Sequence, residues 1–494
     1  MELAVLFFLT SGLFLGWSLG ANDAANVFGT AVGTQMVRFT TAAIICSVFV
    51  ILGAVISGAG AAHTLGRLGA VNTLSGSFMA ALSAAVSVYA MTKLGLPVST
   101  TQAIVGAILG WNLYSETRTD LTTLTTILST WIICPVLAAV FSIILFKVVN
   151  YVLKVTKPHM LRSDAYTRLG LLLAGAFGAY SLGANNIANV MGVFIPSSPF
   201  TDFSVAGLFS VSSTQQLFLL GALAIAVGVV TYSKRVMLTV GGRLLPLSPV
   251  AAWVVVVAHS LVLFVFASEG LEALLLRAGL PTIPLVPVSS SQAVVGAVIG
   301  IGILKSGRSV QWNVLGSIGM GWVATPIMAG VLCFVGLFFL QNVFNQTVYR
   351  PIPYTVSEAV VEHLDEAGVP VAGLQEFRNR SYGSAREFAA VLEEIPGLTA
   401  KDRDRIMVAA EIDEMFVDVT RFNELDQGWL THDQLEAAYS LASDSFRHPW
   451  QLAEALAAES PDWRFLEDTR ANKAHNKDLQ KKLDSLYRAF RLRR

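Results

Sequence analysis

Two short polar motifs, each present twice, carry the chemistry this 494-residue chain can offer. Trp17-Ser-Leu-Gly-Ala-Asn-Asp-Ala-Ala-Asn26 returns as Tyr180-Ser-Leu-Gly-Ala-Asn-Asn-Ile-Ala-Asn189. The first copy sets Asn22, Asp23 and Asn26 in the middle of an apolar segment, and the second sets Asn185, Asn186 and Asn189. A carboxylate inside a membrane is costly and usually functional. Asp23 with its two asparagines offers hard oxygen donors that suit Na+, or a site for a proton. Gly20 and the alanines beside it let the backbone unwind or approach a neighbour closely. Unwound carbonyls are tolerated in a membrane only where they line a cavity. The plainer reading, helix-to-helix hydrogen bonding, serves well for a lone Asn. It serves poorly for a motif that is repeated and contains an Asp.

The second motif is Pro97-Val-Ser-Thr-Thr-Gln-Ala-Ile-Val-Gly106, returning as Pro287-Val-Ser-Ser-Ser-Gln-Ala-Val-Val-Gly296. Proline and hydroxyl residues together mark the start of a helix. Ser99, Thr100 and Thr101 therefore place donors beside free backbone N–H groups, at the positive end of a helix dipole. Ser289, Ser290 and Ser291 do the same in the second copy. That is an oxyanion site, and two such helix starts near a membrane midplane are how repeat transporters hold an anion. Ordinary capping would explain either copy alone but not both at equivalent positions. Neither motif contains Lys or Arg, so dipoles and hydroxyls would hold the anion.

The elements that position these motifs are membrane helices. The chain is 54% hydrophobic and 14% charged, with mean hydropathy +0.59, which is too apolar for a soluble protein of this length. Apolar stretches such as Phe39 to Ser57, Gln216 to Thr231, Ser248 to Phe266 and Val314 to Leu340 reach spanning length. About ten such segments are expected before residue 345, at ~20 residues per crossing. The N-terminal run starts with the acidic Glu2 and leads into the first motif, so it reads as a membrane helix rather than a signal peptide. Cys46, Cys134 and Cys333 fall in apolar segments and read as packing residues.

A third repeated pair, Trp131-x-x-x-Pro135 and Trp322-x-x-x-Pro326, keeps the same order, which makes the chain an internal duplication. The expected organisation is a first membrane repeat over residues 1–150, a cytoplasmic linker over 151–165 and a second repeat over 166–349. A soluble, mainly helical domain over 350–494 follows. Only sixteen Lys and Arg occur in the first 350 residues, whereas charge is dense beyond them. In the tail, Glu358 to Glu366, Ala385 to Glu394 and Leu435 to Ala442 have helical spacing, and Asn472 to Arg494 reads as a basic helix.

The cation bias of the loops sets the threading. The linker carries Lys147, Lys154, Lys157, Arg162 and Arg168 and is expected inside. Arg38, Lys93, Lys234, Arg235, Arg243, Lys305 and Arg308 then also fall inside, and only Arg67, Arg118 and Arg277 outside. Twelve against three gives each half an odd number of crossings, inverted halves and both termini outside. The segments flanking each Pro-Val-Ser motif are either full crossings or a re-entrant hairpin.

The doubled GAN[DN]xxN and PVS[ST][ST]Q motifs resemble the PiT family of inorganic phosphate transporters, over residues 3 to about 345. The resemblance implies an all-α polytopic fold of two inverted-topology repeats with broken helices. It also implies symport of inorganic phosphate with Na+ or H+, without a cofactor. Both pairs of motifs would meet in one central site. Phosphate would meet Ser99, Thr100, Thr101, Gln102, Ser289, Ser290, Ser291 and Gln292. The coupling cation would meet Asn22, Asp23, Asn26, Asn185, Asn186 and Asn189. Family members similar to this chain usually carry Asp in both copies, whereas the second copy here has Asn186. That leaves the coupling ion and its stoichiometry open. Some relatives carry sulfate, but phosphate is preferred because Asp23 can accept a hydrogen bond from a protonated phosphate.

The expected place is the cell (inner) membrane. Partners are phosphate, the coupling ion and lipid, with a homodimer and a partner for the tail left open. No basic patch points to nucleic acid. His259 reads as a helix-contact residue rather than a proton relay, and Glu269 to Leu280 has no counterpart in the first half. The competing readings are a sulfate permease of the same fold and a membrane-anchored sensor or scaffold working through its tail. An enzyme is disfavoured because no catalytic constellation is present.

Overall fold

Long apolar runs, uninterrupted by charge, fold into helices because every backbone polar group in a membrane must be satisfied within its own segment. The computed structural model describes all residues except 1–2, 70, 201–202, 206–208, 244–246, 306–310, 426–428, 468, 470–471 and 493–494. Arg308 and the last two arginines thus lie outside the described residues. The chain divides into two compact units. The first comprises Met1–Tyr114, Thr119–Glu272 and Ile283–Tyr349, and the second comprises Ser115–Arg118, Ala273–Thr282 and Arg350–Arg494.

In the first half of the sequence run α1 (Leu3–Asn22), α2 (Ala24–Gly33), α3 (Phe39–Ser57), α4 (Ala59–Leu68), α5 (Leu74–Lys93), α6 (Thr100–Ser115) and α7 (Leu121–Thr156). In the second half run α8 (Met160–Met191), α9 (Ser213–Arg243), α10 (Pro249–Val265), α11 (Glu269–Arg277), α12 (Ser290–Leu304) and α13 (Trp312–Asn342). The protein is an all-α polytopic membrane protein. Among the described residues six helical stretches are long and apolar enough to cross, or seven if α10 and α11, bent by 68°, form one span. This is fewer than the ten segments expected. Helix α8 has 32 residues but carries Arg162, Asp164 and Arg168 as well as the asparagine motif. Helices α6 and α12, at 16 and 15 residues, are shorter than the ~20 a crossing needs.

Small residues fix how the two halves interlock. Gly16 sits against Gly221 and Ala224, and Gly20 against Ile225 and Val229, so α1 and α9 run in the same direction. Gly53 meets Tyr180, Gly183 meets Ala54, and Gly58 meets Ile187, so α3 and α8 also run together. Only Thr34–Arg38 separates α2 from α3, and successive crossings reverse direction. Helix α8 therefore runs against α1, its repeat counterpart, and the two halves are inverted. The same exchange recurs deeper in the bundle. Gly106 of α6 packs on the backbone of Pro326 in α13, and Gly296 of α12 packs on that of Pro135 in α7. Each proline lies inside its helix and removes the bond to the carbonyl four residues back, that of Trp322 or Trp131.

The second unit contains two small hydrophobic cores. One gathers Tyr354, Val360, Leu364, Phe388, Leu392 and Ile406, with Phe388 stacked on both Tyr354 and Tyr382. Its elements are α14 (Glu358–Glu366), α15 (Ala385–Glu393), α16 (Ala400–Ala410) and the antiparallel pair β3 (Tyr354–Thr355) with β4 (Ser381–Tyr382). The other gathers Met415, Phe422, Leu452, Trp463, Leu483 and Phe490. It is built from α17 (His432–Ser440), α18 (Pro449–Glu459), α19 (Lys473–Phe490) and the pair β5 (Met415–Phe416) with β6 (Ser445–Phe446). A hairpin of β1 (Phe203–Val205) and β2 (Phe209–Val211) completes the strands among the described residues. Helix α17 starts earlier than its apolar spacing suggested, because Thr431 and Gln434 form a reciprocal capping box.

Candidate functional site

Asp23 occupies a one-residue turn between α1 and α2, where its N–H donates to the Leu19 carbonyl and its own carbonyl accepts from Asn26 N–H. The helix thus falters at the first motif. At the second it does not: α8 runs unbroken through Asn185, Asn186 and Asn189. The glycines serve close approach instead. A Cβ on Gly20 or on Gly183 would collide with the carbonyl of Ile225 or of Val50.

Each Pro-Val-Ser stretch is extended and leads into a helix. Ser99 accepts the Gln102 N–H at 3.2 Å, and Ser289 accepts the Gln292 N–H at 3.2 Å. These two hydroxyls are therefore occupied as ordinary N-caps. Ser291 and Ser289 hydroxyls lie 3.0 Å apart. The hydroxyls of Thr100, Thr101 and Ser290 reach the asparagine motifs.

All fourteen candidate residues are at most 2% exposed, so protein and not lipid encloses them. Within the first half, the Thr100 hydroxyl donates to Asp23 Oδ2 at 2.8 Å. Across the halves, Asn26 Nδ2 donates to Ser290 Oγ at 3.2 Å, and Asn189 Nδ2 donates to Thr101 Oγ1 at 2.8 Å. Thr101 Oγ1 also lies 3.4 Å from Asn186 Oδ1 and 3.2 Å from the Val288 carbonyl. Asn189 Nδ2 further reaches Asn186 Oδ1 at 2.9 Å. The four motifs are thus joined directly by side-chain hydrogen bonds. Asn185 is committed elsewhere: its Nδ2 donates to the Val286 carbonyl at 3.0 Å and its Oδ1 accepts Val288 N–H at 2.7 Å. Asn22 donates to Thr92 Oγ1 at 2.7 Å.

Buried polar atoms in folded proteins are nearly always paired. Here Asn22 Oδ1, Asp23 Oδ1, Asn26 Oδ1, Asn189 Oδ1, Gln102 Oε1 and Gln292 Oε1 are buried without a protein partner. One carboxylate oxygen and five amide oxygens of the motifs are thus left over, against one unpaired amide nitrogen, Nδ2 of Asn186, which makes a surplus of acceptors. A cation satisfies such a surplus, and so does a ligand that carries its own proton. The set is hard and oxygen-only, which suits an alkali cation and not a soft transition metal. Among the described residues no group of three or more His, Cys, Asp or Glu is placed to hold a metal.

Two residues outside the motifs join the site. His259, fully buried on α10, has Nε2 2.9 Å from Ser290 Oγ, while Nδ1 has no partner. It makes the helix contact expected of it, and that contact falls on the second Pro-Val-Ser motif. A buried His on a helix that precedes an anion motif was the available signal. Thr92, at the end of α5, accepts from Asn22 and donates to the Val88 carbonyl at 2.7 Å. Nothing in the sequence marks Thr92, because only the fold brings it to the first motif.

The matching family model, described as the phosphate transporter family, covers residues 19–333 and 280–379. A presumed phosphate permease of Methanocaldococcus jannaschii is 27% identical over 336 residues, 68% of this chain and 97% of that protein. A sulfate permease of Bacillus subtilis is 29% identical over 355 residues, 70% of this chain and 90% of that protein. The fold is similar to that of a solved structure named as the sodium-dependent phosphate transporter, with TM-score 0.56 and 22% identity, covering 69% of this chain and 99% of that one. With the matched region spanning both pairs of motifs and the inverted halves that bring them together, this multi-pass membrane protein belongs to the phosphate transporter family.

Proposed function

We propose that the protein is a secondary active symporter that moves inorganic phosphate across the cell membrane by alternating access, driven by Na+. The observation that carries this reading is the bond from Thr100 to Asp23, set beside the bond from Asn26 to Ser290. It joins the buried Asp23 carboxylate to the helix starts that would hold the anion. Asp23 and Asn26, with Asn186 and Asn189, would serve the cation. Thr100, Thr101, Ser290, Gln102 and Gln292 would meet phosphate, with Ser99, Ser289 and Ser291 fixing the two helix starts. Asn22 and Asn185 would shape the flanking loops.

The sodium-dependent transporter of similar fold favours Na+ over H+. Phosphate is favoured over sulfate because hydrogen phosphate can donate to the unpaired oxygens, whereas sulfate at neutral pH has no proton to give. A sulfate permease is the second reading, favoured by the name of the Bacillus relative.

Uptake of labelled phosphate by liposomes containing the purified chain tests the proposal. A Na+ gradient should drive accumulation, a H+ gradient should drive little, arsenate should compete strongly and sulfate weakly. Stronger competition by sulfate than by arsenate would establish the second reading. Accumulation driven only by the H+ gradient would replace Na+ by H+.

A further inference from the structure

Asn22 and Asn185 are equivalent residues of the two inverted repeats, yet they are bonded differently. Asn185 grips the loop that leads into α12 with both ends of its amide, on Val286 and Val288. By the repeat, the matching positions on the loop into α6 are Leu96 and Val98. Asn22 donates instead to Thr92, and its Oδ1 is left buried without a partner. A cavity borders the loop into α6, lined by Thr92, Gly95, Leu96, Tyr232, Arg235 and Val236.

Inverted repeats can exchange conformations, since each half can adopt the arrangement that the other shows. We infer that Asn22 and Asn185 are alternating clamps on the two Pro-Val-Ser loops, and that Thr92 holds Asn22 in its released position. In the structure the loop before α12 is clamped by Asn185, whereas the loop before α6 is held by its own backbone, through Gly95 N–H to Thr92 and Leu96 N–H to Met91, and not by Asn22. In the exchanged state Asn22 Nδ2 donates to the Leu96 carbonyl, Val98 N–H donates to Asn22 Oδ1, and Asn185 lets go. The exchange satisfies the orphaned Asn22 oxygen and closes the cavity beside Leu96. Thr92 is thereby a positioning residue: it touches neither ion nor anion and sets which loop is held. The inference rests on the transporter reading but not on its substrate.

The test needs no substrate. Val236→Cys, on the cavity wall, is introduced into the full-length chain, whose three native cysteines are buried. Its labelling by a sulfonated, membrane-impermeant maleimide is followed in ligand-free liposomes. Removing one hydrogen-bond partner should shift such a balance roughly fivefold. Thr92→Val should therefore slow labelling by about that factor, and Thr92→Ser should leave it unchanged. Adding Asn22→Ala to Thr92→Val should restore the parent rate, because the clamp itself is gone. Unchanged labelling in Thr92→Val, or slowing that persists with Asn22→Ala, would overturn the inference. If Thr92→Val does not insert, Asn185→Ala decides the matter alone. Releasing the opposite clamp should also slow Val236→Cys labelling, and an unchanged or faster rate would reject the idea. Because no phosphate is present, failure here is distinguishable from failure to transport it.

Discussion

The Thr100 hydroxyl lies 2.8 Å from Oδ2 of Asp23, while Oδ1 of the same carboxylate is buried without a partner. One oxygen is anchored to the start of α6 and the other is free to bind. Asn at position 23 can still accept from Thr100, so Asp23→Asn removes charge and keeps the anchor. Gradient-driven phosphate uptake should fall at least about a hundredfold, in line with ~3 kcal/mol for a charged hydrogen-bonding group, while insertion is retained. Uptake within a factor of two of the parent would take Asp23 out of the coupling step.

Asn186 is the place where the second copy lacks a carboxylate. Its Oδ1 already accepts from Asn189 and Thr101, and a carboxylate oxygen can do the same. Asn186→Asp should therefore fold, and should steepen the dependence of uptake on Na+ concentration. The measurement is the number of charges moved per phosphate in voltage-clamped vesicles. An unchanged ratio would show that position 186 does not bind the ion.

The glycine contacts predict where the bundle is intolerant. A Cβ on Gly106 would meet the backbone of Pro326, and one on Gly296 the backbone of Pro135; backbone cannot swing aside. Gly106→Ala and Gly296→Ala should each cost about 1–3 kcal/mol by overpacking. Gly316→Ala, with nothing within 4 Å of the new methyl, should be near neutral. Thermal unfolding in detergent compares the three, and equal midpoints would contradict the close-packed interface.

The second unit unites Arg350–Arg494 with Ser115–Arg118 and Ala273–Thr282, stretches holding the Arg118 and Arg277 that the cation count places outside. Within this unit Arg118 pairs with Asp404, and Arg386 pairs with Glu116 at 2.8 Å. Its basic end is engaged too, since Arg491 grips Asp413 through two 2.6 Å bonds. We expect the tail outside. Cysteines at the exposed Ala367 and Ala458 should react with an impermeant thiol reagent in intact cells. Reaction only after lysis would put the tail in the cytoplasm.

Truncation after Arg350 should leave at least half of the phosphate uptake, since both pairs of motifs precede it. Uptake per inserted molecule is the measurement. Its complete loss would make the tail part of the transport machinery.

The amino-acid sequence by itself determined a duplicated, multi-pass helical protein with a polar site. Spanning-length apolar runs can satisfy their backbone only as helices, and two polar motifs kept in order are expensive unless they are used. It also marked the fourteen motif residues, because polar groups inside apolar runs stand out against their neighbours. Tertiary structure decided how those residues are shared out. Ser99 and Ser289 are spent as caps, Asn185 is spent on a loop, and Asn26 reaches Ser290 in the opposite half. Such pairings depend on how inverted helices cross, and the crossings are set by glycines whose partners lie more than a hundred residues away, such as Gly20 against Ile225 and Gly106 against Pro326. Local spacing encodes the helix and its cap. It does not encode which carbonyl a missing side chain lets in, and that choice placed Thr92 and His259 at the site.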